Sequence, residues 1–357
     1  MKRPGYTMIK KSNIEKLYYP IPTNSFDFIR LGLASIVVLA HFIVLTGIEE
    51  RPLWAKIFTT HLAVKGFFIL SGYLILSSYL KTPDIKTYLV KRAKRLLPAY
   101  CSIILLSTFF LGLLSNLNYL DYITHPQVWK YFFSNLFFLN FLEPSLPGVF
   151  LNNPVKEIVN GSLWTLKIEI SFYLFVPFLV YIFRKLNNKK AIYFSIIILY
   201  LLGYFFRVLI LKYSNSYPFL ESLINQLPGS IQYFCVGMGF YLFVDSKHFK
   251  NPIILLLGCL MLLEKQLFNT TLLWPIGLGI IIMYIGFTFK NLANCLNGND
   301  YSYGVYIFHF PILQTLISVQ VLSLPYWLVF LLYILTVSIL AFLSWNQIEK
   351  PFLRRKK

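Results

Sequence analysis

Residues 24–47 read NSFDFIRLGLASIVVLAHFIVLTG. Only Asp27, Arg30 and His41 interrupt a run that is otherwise apolar or weakly polar. A helix needs about 20 such residues to cross a hydrocarbon core of about 30 Å. Similar runs recur along the chain, and a hydropathy window of about 19 residues places spans at 25–47, 57–80, 96–116, 162–184, 191–212, 227–245, 251–264, 271–289, 302–322 and 326–346. The 251–264 run is the shortest and needs a thin, tilted or partly re-entrant path. The expected fold is all-α: a polytopic membrane protein with about ten transmembrane helices.

Composition agrees. With 57% hydrophobic, 18% aromatic and 13% charged residues in 357, the chain is too apolar for a soluble domain. The net charge of +19 does not mark a nucleic-acid partner, because Lys and Arg gather at the ends and between apolar runs. Basic connections at 81–95, 184–190 and 247–250, with the tail 350–357, alternate with less basic ones. The positive-inside rule then sets both termini in the cytoplasm. The expected organisation is a basic cytoplasmic segment 1–24, a membrane domain 25–346 and a basic cytoplasmic tail 347–357. The leader holding Lys2, Arg3, Lys10, Lys11 and Lys16 is too long and polar for a cleaved signal, so the first span is expected to act as an uncleaved anchor. Segment 117–161 reads as a non-cytoplasmic connection with an interfacial helix near Trp129 to Leu142. Cys101, Cys235, Cys259 and Cys295 lack CxxC spacing and read as packing residues; no metal site is expected. The triplets Asn160-Gly161-Ser162 and Asn269-Thr270-Thr271 carry no weight as glycosylation sites.

Ionisable residues inside spans are costly and therefore functional candidates. Arg30 and His41 stand 11 positions apart. That spacing leaves them about 20° apart on one helical face and about 16 Å apart along the axis. Alone, this pattern favours the plainer reading of a local Asp27–Arg30 ion pair with a solitary satisfied histidine; the other segments shift the balance. Glu169 lies about two turns into the fourth span, near the depth of His41, and shares a face with Ser162 and Tyr173. Lys167 is expected to snorkel. The cluster Lys91-Arg92-Ala93-Lys94-Arg95, read as a helix start with Pro98 in its early turn, suits phosphates and equally serves as a topology signal. His309 precedes Pro311, whose missing N–H leaves a carbonyl unpaired; the histidine either lines a polar pocket or satisfies that backbone.

Taken in order, these segments resemble the acyltransferase family 3 membrane proteins over the whole chain. The resemblance rests on Arg30 with His41, Gly66-Phe67-Phe68 through Ser71-Gly72-Tyr73, and Arg92-x-x-Arg95 with Pro98 and Tyr100. It continues through Gly161-Ser162-Leu163-Trp164 with Glu169 and Phe172-Tyr173, Ser302-Tyr303 through His309-Phe310-Pro311, and Glu349-Lys350-Pro351-Phe352. Lys65 departs from relatives that carry an acidic or neutral residue there. The resemblance implies an enzyme of the bacterial inner membrane that moves acetyl from acetyl-CoA to a sugar hydroxyl of a cell-surface polysaccharide. Lipopolysaccharide O-antigen is the first choice of acceptor, lipid-linked forms included.

It also implies His41, Glu169 and Arg30 as catalytic, with Arg92, Arg95 and Tyr100 holding the donor. Ser71, Ser162, Trp164, Tyr173 and His309 are the substrate-contact candidates. His41 is expected to act as general base with Glu169 orienting it, or else to carry a transient acyl group. A proton-coupled transporter or glycan flippase is the competing class, and paired Gly/Pro-broken spans that would favour it are not evident.

Overall fold

The computed structural model describes residues 18–48, 52–214, 216–217 and 219–353. Most of the basic leader, including Lys2, Arg3, Lys10, Lys11 and Lys16, and the tail beyond Leu353 lie outside the described residues. The fold is helical, and the only β pairing among the described residues is an isolated bridge between Ser145 and Ile158. Ten helices fall where spans were expected: α1 Phe26–Leu45, α2 Thr60–Lys81, α3 Ile85–Phe110, α4 Trp164–Leu186, α5 Lys189–Ser214, α6 Leu227–Phe243, α7 Pro252–Leu262, α8 Trp274–Thr288, α9 Ser302–Ser318 and α10 Tyr326–Leu343. Six of them, α1 to α5 and α10, are long and apolar enough to cross a bilayer. A seventh crossing arises if α8 is counted with the 3-10 turn Lys290–Leu296, bent from it by 74°. The chain is therefore a multi-pass membrane protein.

Local sequence explains the ends. The Asn24 side chain accepts the Phe26 N–H at 3.1 Å, and the Ser25 N–H donates to the Gly286 carbonyl at 2.9 Å, so α1 starts where two orphan donors are met. α7 begins behind Asn251, whose side chain caps the Ile253 N–H, and has only 11 residues before a separate helix, Glu264–Phe268, takes over. Asn269, at φ +52°, then turns the chain away. One local expectation is corrected. α3 begins at Ile85, where the Asp84 carboxylate accepts the Thr87 N–H at 2.7 Å. Lys91 to Arg95 consequently lie inside a helix rather than at its N-terminus, and Pro98 is interior. That cluster owes nothing to N-terminal N–H groups.

The described chain forms two compact units. One comprises residues 18–23, Ile69–Tyr88 and Phe172–Ile280; the other comprises Asn24–Phe68, Leu89–Ser171 and residues 281–353. In the first, α2 and α6 meet at glycines: a methyl on Gly72 would stand 2.2 Å from the Phe234 carbonyl oxygen, and one on Gly237 2.0 Å from that of Ile69. Small residues let membrane helices approach backbone to backbone, which accounts for Gly72 in the second-span motif. In the second, α1, α9 and α10 share a core of Val38, Phe42, Leu45, Phe310, Leu313, Ile317, Val329, Tyr333 and Val337. Gly304 brings α9 against α10, since an added methyl would lie 2.9 Å from Ala341 Cα. All four cysteines are free; Cys235 is buried, whereas Cys259 and Cys295 are exposed and do not serve as core packing.

Candidate active site

Two layers of polar groups join α1 to α9. At the first, Arg30 Nη1 donates to Asp27 Oδ1 at 2.6 Å and to Asp300 Oδ2 at 2.9 Å. Arg95 Nη2 donates to the same Asp300 oxygen, and its Nη1 reaches Glu349 Oε2 at 3.4 Å. Ser302 donates to the other Asp300 oxygen through both its hydroxyl and its N–H. Left-handed Asn297 and Gly298 turn the chain just ahead of Asp300, and glycine meets that backbone requirement without strain. Glu349 closes a π-helical stretch, Ser344–Glu349, that follows α10; it is 1% exposed and accepts from Ser344 Oγ at 3.0 Å. Such wide turns inside helices recur at functional sites. Burial alone would push the Asp300 carboxyl up. The Arg95 and Arg30 guanidinium groups and the Ser302 contacts outweigh it and hold the carboxyl below its ordinary range.

The second layer lies 11 residues further along α1 and 9 residues beyond Asp300 on α9, so the two helices run parallel. Here His41 Nδ1 stands 2.8 Å from His309 Nε2, with the rings stacked at 5.0 Å between centroids. The other nitrogen of His309, Nδ1, is 2.7 Å from the Tyr306 carbonyl oxygen. A carbonyl only accepts, so His309 carries its proton on Nδ1 and offers Nε2 as an acceptor. His41 must then donate from Nδ1, which leaves the Nε2 lone pair of His41 uncommitted. His309 is completely enclosed, whereas His41 retains partial exposure.

Around the pair, Pro311 has done what its missing N–H requires. The Ile307 carbonyl it orphans accepts from Asn160 Nδ2 at 2.9 Å. The Asn160 side-chain oxygen accepts from Ser162 Oγ at 2.6 Å, and the Tyr306 hydroxyl meets Thr165 Oγ1 at 2.8 Å. This ties the start of α4 to α9 next to the histidines. Glu169 lies within electrostatic reach of Tyr306. The group found at hydrogen-bond distance from His41 Nδ1 is His309.

The remaining sequence candidates distribute unevenly. Arg92 is half-buried on α3, one turn before Arg95, and Trp164 is half-buried at the first position of α4. Tyr100 is wholly buried, stacked on Phe138, with its hydroxyl donating to the Asn135 carbonyl at 2.6 Å and accepting from Asn140. Its place in the fold is to secure the turn after helix Pro126–Leu136. Ser71 and Tyr173 belong to the other compact unit. Lys65 is 1% exposed with its ammonium over the Phe68 ring. Sequence reasoning missed Asp300 and Asn160. Asp300 falls just outside the ninth apolar run, and Asn160 was signalled only by the carbonyl that Pro311 must leave unpaired. Among the described residues no group of three or more His, Cys, Asp or Glu is placed to hold a metal ion.

Residues 23–345 match the acyltransferase domain family. The chain belongs to this acyltransferase 3 family. It is 30% identical over 347 residues to an O-acetyl transferase of Shigella phage Sf6, covering 93% of this chain and 97% of that one. It is 25% identical to nodulation protein 10 of Rhizobium leguminosarum bv. viciae, over 93% of each chain. A putative peptidoglycan O-acetyltransferase of Bacillus subtilis (strain 168) is 24% identical over 80% of this chain and 49% of its own length. No solved structure matches. Family membership makes this acyltransferase an enzyme of the O-acetyltransferase type, and the transporter class is set aside.

Proposed function

We propose that this acyltransferase moves an acetyl group from acetyl-CoA to a sugar hydroxyl of a cell-surface polysaccharide, with lipopolysaccharide O-antigen as the acceptor, in a bacterial inner membrane. The reading takes the ten helices as ten crossings and both termini as cytoplasmic. The observation that carries it is the His41–His309 pair, which leaves one uncommitted imidazole nitrogen in an apolar layer. In the proposed step, His41 Nε2 takes the proton of the sugar hydroxyl as the oxygen attacks the thioester carbonyl. The tetrahedral centre collapses, the C–S bond breaks, and the imidazolium returns the proton to the departing thiolate. His309 holds the tautomer, the part a carboxylate plays in serine-type triads. Glu169 and the bound acceptor share the charge that builds on the imidazolium.

The Lys91 to Arg95 turn of α3 is the proposed seat of the CoA phosphates, with Arg92 in the lead. Arg95 and Arg30 are already committed to Asp300 and Glu349, so they position the donor from a fixed frame. Guanidinium forks suit phosphate oxygens, which fits this assignment. Ser162 and Trp164, at the mouth of α4, are proposed acceptor contacts.

The test is acetyl transfer from radiolabelled acetyl-CoA to purified O-antigen by the protein in lipid nanodiscs. His41→Ala should lose transfer while inserting and binding donor normally. Wild-type turnover by that variant would remove the general-base role.

A further inference from the structure

α5 carries an ionisable residue that the acyl-transfer site does not use. Arg207 lies seven residues before the last residue of this helix, on the face that also presents Gly203 and Ile210. It is 7% exposed. Its Nε and Nη1 atoms are enclosed and make no hydrogen bond. Among the described residues, the one partner the guanidinium meets is the ring of Tyr233 on α6, 5.9 Å from centroid to guanidinium carbon. An aromatic face attracts a cation but supplies no acceptor for the N–H groups.

The one carboxylate on a helix packed against α5 and α6, Glu221 of Phe219–Ile224, is exposed and forms no ion pair among the described residues. Neither α5 nor α6 contains an Asp or Glu. Glu264 is saturated elsewhere: its carboxylate accepts from Thr270 Oγ1 and from the N–H groups of Leu272, Leu273 and Trp274, capping the start of α8. No ion pair among the described residues involves Arg207. Lys212, on the same end of α5, adds positive charge rather than cancelling it. A guanidinium stays charged at any physiological pH and is expensive in a low-dielectric layer without a partner. Removing such a charge ordinarily stabilises a fold, so retaining it implies a ligand.

We propose that Arg207 is a binding site for a phosphate group, taken up within the membrane when the side chain turns its enclosed, unmatched Nε and Nη1 donors towards the bilayer boundary. Each edge of the planar guanidinium that includes Nη2, paired with Nε or with Nη1, matches two phosphate oxygens. The Arg207 backbone lies about 10 Å along the helix from the end of α5, close enough for a phosphate at the bilayer boundary to be drawn in against the long side chain. The site lies within the unit that holds α5 and α6, and it does not depend on the reading of His41.

Thermal unfolding of the purified full chain in neutral detergent tests this, with phosphatidylglycerol, phosphatidylcholine or inorganic phosphate added in turn. Phosphatidylglycerol should raise the midpoint of the wild type, and Arg207→Met should need at least about tenfold more of it for the same shift. Arg207→Lys should respond in between. If inorganic phosphate alone gives the shift, the ligand is the free anion; if only the lipid does, it is a headgroup. In detergent without either, Arg207→Met should be as stable as the wild type or more so, because an unpaired buried charge has been removed. A variant that is less stable there, or that responds to phosphatidylglycerol as the wild type does, overturns the proposal, since Arg207 would then be a structural cation.

Discussion

Replacing His309 by Leu removes the acceptor that His41 Nδ1 meets at 2.8 Å. The orphaned donor stays in an apolar layer lined by Phe310. An unmatched buried donor costs about 1–3 kcal/mol. His41 can relieve that cost by moving its proton to Nε2 or by turning the ring, and either response removes the base from its working position. At about 1.4 kcal/mol per tenfold in rate, kcat should fall roughly 5- to 150-fold. His309→Gln should recover much of the loss, since a side-chain carbonyl oxygen can again accept from His41 Nδ1. The Michaelis constant for acetyl-CoA should stay close to that of the wild type, because the pair lies a layer away from the arginines. Initial rates in nanodiscs over a range of acetyl-CoA concentrations up to saturation measure all three. A His309→Leu enzyme with kcat within about twofold of wild type would refute the tautomer argument.

Asp300→Asn should lower stability by about 2–3 kcal/mol. This sits at or below the low end for breaking a buried pair, because Arg30 and Arg95 keep part of their exposure and each retains a second carboxylate. The pH dependence has a definite sign: the Arg95 and Arg30 guanidinium groups hold the folded carboxyl below the ordinary aspartate value of about 3.9. Its contribution is therefore whole above that pH and is lost as acid takes the solution down through the lowered value. Acid unfolding followed by tryptophan fluorescence should show that limb in the wild type and lose it in Asp300→Asn. Asn160→Ala leaves the Ile307 carbonyl without its donor and Ser162 Oγ with only the Tyr306 carbonyl, at 3.4 Å; it should cost about 1–3 kcal/mol in a thermal melt and lower kcat more than it raises KM.

Much of this site could be found along the chain. Arg30 and His41 were matched by helical phase, and Pro311 announced an unpaired carbonyl. Phase has nothing to say about the occupant of the facing helix. The partner of His41 lies 268 residues away and that of Arg30 lies 270 away, so both depend on α9 packing parallel to α1. Tyr100 shows the opposite case. Its place in a family motif suggested a donor contact, yet its hydroxyl is spent on the turn at Asn135 and Asn140.

By itself, the order of residues determined that this chain lives in a bilayer, where its apolar helices run, and which few polar groups enter the apolar layer. Those properties are local: hydropathy, capping and helical phase are settled within a turn or a span. Tertiary packing alone decided that Asp300 would bind two arginines, that Asn160 would answer Pro311, and that one histidine would fix the proton of another. Hydrogen bonds reach only about 3 Å, so they exist only after distant helices have been laid side by side.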